Sequence, residues 1–208
     1  MERKKDTRQL ILEKSRQAFL KKDIFNTVMS DIALSADLSV RTIYRYFDTK
    51  EDLVYEITID LLNEWNSYQI NVFNKLNGSG IDKLEIFLKR LIDYMCKKQD
   101  VMRYLAEFDF YFSDETTLAN VDSMRRFDEV ILISEDLIHK IIKEGTNDKS
   151  IKDGLDIKLT VATISNVLWS FGQRIAIRGK IIEKESGFDG ITLINNQVDI
   201  YIKNIKEV

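Results

Sequence analysis

Thr27 to Leu53 read T-V-M-S-D-I-A-L-S-A-D-L-S-V-R-T-I-Y-R-Y-F-D-T-K-E-D-L, two short helical patterns joined by a tight turn and followed at once by a third. From Thr27, apolar residues recur at Met29, Ile32, Ala33 and Ala36, the three-and-four spacing of one helix face. Thr27 is the expected N-cap, its hydroxyl accepting from the first free backbone amides. A second segment starts at Ser39, another good cap, and places Val40, Ile43 and Phe47 at the same spacing. At about 100° of turn per residue these three share a sector roughly 60° wide, while Arg41 and Arg45 point nearly the opposite way, with Thr42 beside them.

The second helix is therefore expected to pack through its aliphatic side and to offer two guanidinium groups and a hydroxyl outward. That is the form of a DNA-reading helix-turn-helix. Arginine donates a bidentate pair to guanine O6 and N7, and a threonine methyl or hydroxyl meets thymine or a phosphate. Arg41, Thr42 and Arg45 are thus the expected base contacts. Tyr44 and Tyr46 flank them and can bring a phenol to a phosphate oxygen. Lys50 heads the next helix, where its ammonium and the helix dipole both favour an anion.

Exposed helical charges are most often a solvated face, and local charge weighs against that reading here. Residues 1–50 carry eleven Lys and Arg against seven Asp and Glu, a net +4, which leaves −7 for the remainder of a chain whose total is −3. A basic head on an acidic body is what a phosphate-binding module joined to something else looks like.

The block T-V-M-S-D-I-A, then A-D-L-S, then T-I-Y-R-Y-F-D-T-K-E-D-L resembles the N-terminal DNA-binding domain of TetR-type (tetracycline-repressor-like) regulators, over about a quarter of the chain from Thr7 to Leu53. The resemblance implies a small all-helical dimer with a divergent C-terminal domain that binds an effector. By position it gives Thr27, Tyr44 and Lys50 phosphate roles and puts Arg41, Thr42 and Arg45 in the major groove. Two positions depart from the pattern. Asp37 stands where such sequences commonly have glycine in the turn, and Asp23 where they often have it before the second helix. Asp reaches the left-handed conformation at a higher cost than glycine, and each Asp subtracts from the local positive charge.

With 208 residues and 44% hydrophobic content the chain can bury a real core. No apolar run reaches the roughly 20 residues needed to cross a bilayer, and M-E-R-K-K-D lacks the apolar stretch of a secretory signal, so a cytoplasmic protein without membrane contact is expected. One cysteine, Cys96, rules out an intrachain disulfide and reads as packing filler. Proline is absent and all eight glycines lie at or beyond Gly78, clustered in N-G-S-G (77–80), G-T-N-D-K-S-I-K-D-G (145–154) and S-G-F-D-G (186–190), with Gly179 expected to end a further helical run. Between these marks the helical period holds. A first helix runs from Asp6 or Thr7 to about Lys21, and a long one from Lys50 to about Lys75, roughly 39 Å at 1.5 Å per residue. Ile81 to Met95 forms another and Val121 to Ile142 a later long one. The expected fold is all-α, with a helix-turn-helix domain at 1–48 and a helical effector-binding and dimerisation domain at 49–208.

In the body, M-R-Y-L-A-E-F-D-F-Y-F (Met102–Phe112) is apolar on nearly every side and reads as a central helix. Tyr104, Phe108 and Phe112 are its candidate effector-pocket wall, Asp109 a polar anchor, and Trp65, Tyr94 and Trp169 further lining; the alternative is that these aromatics are simply core. Near the C-terminus, Leu159 to Ile175 form a rich apolar helix and Ile191, Ile194, Val198, Tyr201 and Ile205 a 3-4 packing seam. A two-fold four-helix interface is expected there, with Leu168, Phe171, Ile194, Val198 and Tyr201 as its residues.

The function these features imply is a ligand-responsive transcriptional regulator. It is expected to be a homodimer on a palindromic double-stranded DNA operator, and a repressor released by a small, largely apolar or aromatic effector. The alternatives are an activator, or an adaptor or co-activator that binds a protein through the same head. An enzyme is not expected. His139 is the only histidine and looks like a flanking residue, one His and one Cys make no typical zinc site, and there is neither a G-x-S-x-G elbow nor a phosphate-cradling glycine loop. No cofactor, metal or catalytic residue is expected.

Overall fold

The computed structural model describes residues 2–113, 121–131 and 133–207, with side chains from residue 6 onward. Their regular elements are α-helices: α1 (Glu2–Lys21), α2 (Met29–Ser35), α3 (Val40–Tyr44), α4 (Lys50–Phe73), α5 (Gly80–Lys97), α6 (Gln99–Tyr111), α7 (Val121–Ile131), α8 (Ile133–Asn147), α9 (Ile157–Ser186) and α10 (Gly190–Ile205). A lone antiparallel bridge joins Ile151 to Lys206. None of these helices is long and apolar enough to cross a membrane.

The chain divides into two compact units. One comprises residues 1–63 with 103–131, the other 64–102 with 132–208. Most of α6 and all of α7 therefore belong with the first unit.

The first unit is built on α1, whose Ile11, Leu12 and Phe19 are buried with Ile32 and Ala33 of α2 and Ile43 of α3. The expected turn between α2 and α3 is present and is a Schellman motif. The Leu38 amide donates to the Ala33 carbonyl at 2.9 Å and the Asp37 amide to the Leu34 carbonyl at 3.3 Å. That closure requires a left-handed residue after the C-cap, and Asp37 supplies it with φ 54°. Ser39 caps α3 as expected, its hydroxyl accepting from the Thr42 amide at 3.1 Å. Thr27 does not cap α2. The helix starts at Met29 with Val28 as N-cap and no side-chain cap bond. The Thr27 hydroxyl instead donates back to the Asp23 carbonyl at 2.7 Å, closing the α1–α2 loop.

From α4 and α6 the first unit gains an aromatic and polar floor. Tyr104 is fully buried, its hydroxyl donating to the Val54 carbonyl at 2.9 Å and meeting the Thr58 hydroxyl at 3.1 Å. Burial raises its phenol far above the ordinary range. Glu107 accepts from the Ile24 amide at 3.1 Å. Met102–Phe112 is not wrapped on every side, because Phe110 is 72% exposed and Asp109 is exposed as well.

In the second unit α5 buries Ile81, Leu84, Leu88, Leu91 and Met95, the stripe its spacing announced. Its free N-terminal amides are met from the loop after α8: Gly80 N–H donates to the Asp148 carboxylate at 2.7 Å and Ile81 N–H to the Ser150 hydroxyl at 3.0 Å. α5 and α8 approach so closely here that a Cβ on Gly80 would lie 2.1 Å from the Gly145 Cα. Gly179 does not end a helix. α9 runs through it to Ser186 and stops at Gly187, which takes the left-handed C-cap conformation with φ 77°. Asp156 and Asp189 cap α9 and α10 by accepting from the Leu159 and Thr192 amides.

Candidate nucleic-acid interface

α3 is held from beneath by Ile43 and Phe47, 0% and 4% exposed, and the aliphatic side of the helix faces inward as its spacing requires. Val40, the third member of that stripe, is 38% exposed, because it sits at the first residue of a five-residue helix and projects past its packed face.

Arg41 and Arg45 are exposed on the other side. Neither guanidinium is paired with a carboxylate among the described residues. Arg45 lies over the ring of its neighbour Tyr46, 5.4 Å from the centroid. Thr42 is half-buried, its hydroxyl 2.8 Å from that of Ser39, so the two hydroxyls present themselves as a pair. Tyr44 is exposed at 47% and its phenol is free to meet a partner in solution.

Around this core the candidate phosphate contacts divide. Lys50 places its ammonium 5.5 Å over the Tyr111 ring and 3.5 Å from the Phe25 carbonyl oxygen, and burial lowers it below the ordinary lysine range. Tyr46 is half-buried and lines a polar cleft of about 260 Å³, along with Arg8, Phe47, Asp48, Asp52, Glu56, Asp122, Ser123 and Arg126. Thr27 falls outside the set. It is fully buried and its hydroxyl donates to the Asp23 carbonyl.

Behind α3 lies an ion-pair relay that spacing did not reveal. Arg8 of α1 places its guanidinium 5.0 Å over the Phe47 ring and donates to Glu56 of α4 at 2.7 Å, and Arg126 of α7 donates to the other carboxylate oxygen of Glu56. Glu56 is buried, and the two guanidinium groups offset the cost of burying its charge.

The candidate effector residues fall into two clusters. Phe108 and Phe112 belong to the first unit, packed with Tyr55 and Phe127 at ring separations of 4.6 to 5.7 Å, and Tyr104 is core beside them with its hydroxyl occupied. Trp65, Tyr94 and Trp169 belong to the second, where Trp65 meets Tyr94 at 5.1 Å and Trp169 at 5.9 Å. Among the proposed dimer residues, Leu168, Ile194 and Val198 are buried within the protomer itself, and Phe171 and Tyr201 are half-buried.

Residues 11–57, which contain α2, the turn, α3 and the start of α4, match the family of bacterial regulatory proteins described as tetR. Over those residues the head is similar to the N-terminal domain of that family. The fold continues through the body. The chain superposes on a Bacillus subtilis regulator, FadR, solved in complex with stearoyl-CoA (TM-score 0.67, 16% identity, 95% of this chain and 98% of that one). It also matches KstR2, a ketosteroid transcriptional regulator of Mycobacterium tuberculosis (TM-score 0.67, 13% identity, 97% and 95%). A tetR-family regulatory protein from Rhodococcus RHA1 superposes as well (TM-score 0.70, 15% identity, 97% and 98%). No curated protein matches the sequence. The chain thus has the helical fold of these transcriptional regulators, with a helix-turn-helix at its head. Among the described residues no group of His, Cys, Asp and Glu is arranged to hold a metal.

Proposed function

We propose that this protein is a transcriptional repressor that binds a palindromic operator as a homodimer and is released by a small, largely apolar effector. What carries the reading is the outward pair of cations, Arg41 and Arg45, on a helix whose opposite face is locked into the head by Ile43 and Phe47. Inserted in a major groove, these arginines read guanine edges with Thr42 beside them, and Tyr44, Tyr46 and Lys50 take the flanking phosphates.

Dimerisation is supported by the outward face of α9, where Leu159, Val167, Ile177 and Ile181 remain exposed, and by Ile200 of α10. These residues, in place of the buried Leu168, Ile194 and Val198, are the proposed contact. Two heads of one dimer meet half-sites about 34–36 Å apart or a multiple of that, so any ligand that favours a different head spacing drives the protein off DNA. The coupling is reciprocal: operator DNA weakens effector binding by the factor with which effector weakens operator binding. An apolar effector accords with the acyl chain carried by the ligand of the Bacillus subtilis regulator.

The test is selection of genomic fragments on the purified protein, followed by titration of the recovered sequence at increasing salt. A palindromic site whose affinity falls steeply with ionic strength supports the reading. Binding that ignores salt, or recovery of no sequence, overturns it in favour of a protein-binding adaptor.

A further inference from the structure

Three buried polar atoms in the second unit have no hydrogen-bond partner among the described residues: Oε1 of Gln69, Oγ of Ser165 and Nε of Arg178, the last on a guanidinium whose Nη2 already donates to Glu185 at 3.0 Å. Gln69 is fully buried, and its amide nitrogen is spent on the Asn66 side-chain oxygen at 3.1 Å, which leaves the carbonyl end free. A buried acceptor left unmet is costly, and interiors seldom tolerate one without a reason.

The position of the Gln69 and Ser165 atoms supplies the reason. Gln69 lies one turn beyond Trp65 on α4, and Ser165 one turn before Trp169 on α9, so each orphan is a same-face neighbour of one member of the Trp65–Trp169 ring pair, whose centroids are 5.9 Å apart. Tyr94 and Tyr68 extend the aromatic surface, Trp65 meeting Tyr94 at 5.1 Å and Tyr94 meeting Tyr68 at 4.6 Å. The other polar atoms at this place are already engaged: the Trp65 indole N–H donates to the Ser134 hydroxyl at 3.3 Å and the Tyr68 hydroxyl to the Arg90 carbonyl at 3.0 Å. No ionisable side chain is among the six residues that form it, apart from the two phenols.

We infer that Gln69 and Ser165 are the polar anchor of the effector site and that the effector is an uncharged, flat, mostly apolar molecule carrying a hydroxyl or amide N–H. Its donor meets Gln69 Oε1, its acceptor takes the Ser165 hydroxyl, and its apolar body lies against the indoles. A carboxylate is disfavoured, since it offers a second acceptor to an acceptor and gains no cation in return. This assignment rests on the proposed ligand response and specifies the chemical class of that ligand.

Calorimetric titration of the full chain with 1-naphthol, naphthalene and 1-naphthoate tests it. The three share a ring system and differ in whether they bring a donor, nothing or a negative charge. 1-Naphthol is expected to bind about tenfold tighter than naphthalene, the worth of one well-placed buried hydrogen bond, and 1-naphthoate more weakly than either. In Gln69→Leu the preference for 1-naphthol over naphthalene should fall below about twofold while naphthalene binding is kept, and Ser165→Ala should reduce it in part. Equal binding of naphthol and naphthalene to the unmodified chain would mean that a fixed water already serves Gln69, and it overturns the assignment. So would a preference for naphthoate, a preference that survives Gln69→Leu, or no saturable naphthol binding. Operator binding is measured separately on the same samples. A protein that discriminates naphthol through Gln69 but ignores DNA keeps the anchor and loses the repressor reading, and one that binds DNA but not the probe does the reverse.

Discussion

Arg8 of α1 and Glu56 of α4 are joined at 2.7 Å, and the same carboxylate receives Arg126 from α7 on its second oxygen. Three helices of the first unit thus converge on one buried charge, directly behind the Phe47 ring on which Arg8 rests. Removing the carboxylate leaves two guanidinium groups facing each other. Glu56→Ala is expected to lower stability by ~1–2 kcal/mol, less than a fully buried pair would cost because both arginines remain partly solvated. Denaturant titration at constant m-value checks it, and a change under about 0.5 kcal/mol would show that the relay contributes nothing to the fold.

The turn between α2 and α3 stores a removable cost. Asp37 holds φ 54° to close the Schellman motif, a conformation glycine takes freely. Asp37→Gly is expected to stabilise the protein by ~0.5–1 kcal/mol and, by deleting a negative charge beside the reading helix, to tighten operator binding most at low salt. Thermal melts and operator titrations at two ionic strengths read the two effects, and a destabilised variant would contradict the first.

Much of the head was legible because a period of 3.6 and a serine cap are local properties. Ile32, Ala33 and Ile43 are buried where their spacing put them, and Ser39 caps as its chemistry demands. Thr27 has the chemistry of an N-cap but does not act as one, because the Asp23 carbonyl of the α1–α2 loop competes successfully for its hydroxyl. A 3-4 stripe likewise says that Leu168, Ile194 and Val198 are buried but not whether their own chain or a second copy buries them, and it is their own chain that does. Gly179 reads as punctuation in the sequence, whereas in a 30-residue helix packed along one face a single glycine is tolerated. Asp109 was placed as an anchor on the strength of its aromatic neighbours, yet it and Phe110 are exposed near the end of α6. Which aromatics would meet was also out of reach. Trp65 finds Trp169 over a hundred positions away, while Phe108 finds Tyr55 and Phe127 in the other unit.

A pH dependence follows from Glu107. Burial raises its carboxyl above the ordinary glutamate range, with the Ile24 amide bond opposing the shift. Because the folded-state value is the higher one, the folded protein prefers the protonated form. Its contribution is most favourable below the ordinary glutamate range and is lost as pH rises through the raised value. Glu107→Gln keeps an acceptor for Ile24 without the charge, so its stability relative to the unmodified chain should improve from pH 4 to pH 7. Denaturant midpoints at the two pH values decide it, and a relative stability that is flat or falls over that window would be incompatible with this assignment.

Dimerisation through the outward face of α9 is open to a direct test. Ile177, 56% exposed, becomes buried if two copies meet there. Ile177→Asp is expected to leave the fold intact and turn a dimer into a monomer in sedimentation experiments at micromolar concentration, with operator binding weakened because two half-sites are no longer held together. An unchanged sedimentation coefficient would move the interface elsewhere.

Arg41 and Arg45 are the proposed readers of DNA. Fluorescence anisotropy of the operator recovered from genomic selection, measured for the unmodified chain, Arg41→Ala and Arg45→Ala over a salt series, tests that role most directly. Each substitution should weaken binding about 10- to 100-fold, relax the base preference at one position of each half-site and leave thermal stability within about 0.5 kcal/mol, as expected of exposed side chains that meet base edges. Full affinity and unaltered base preference in both variants would contradict the account.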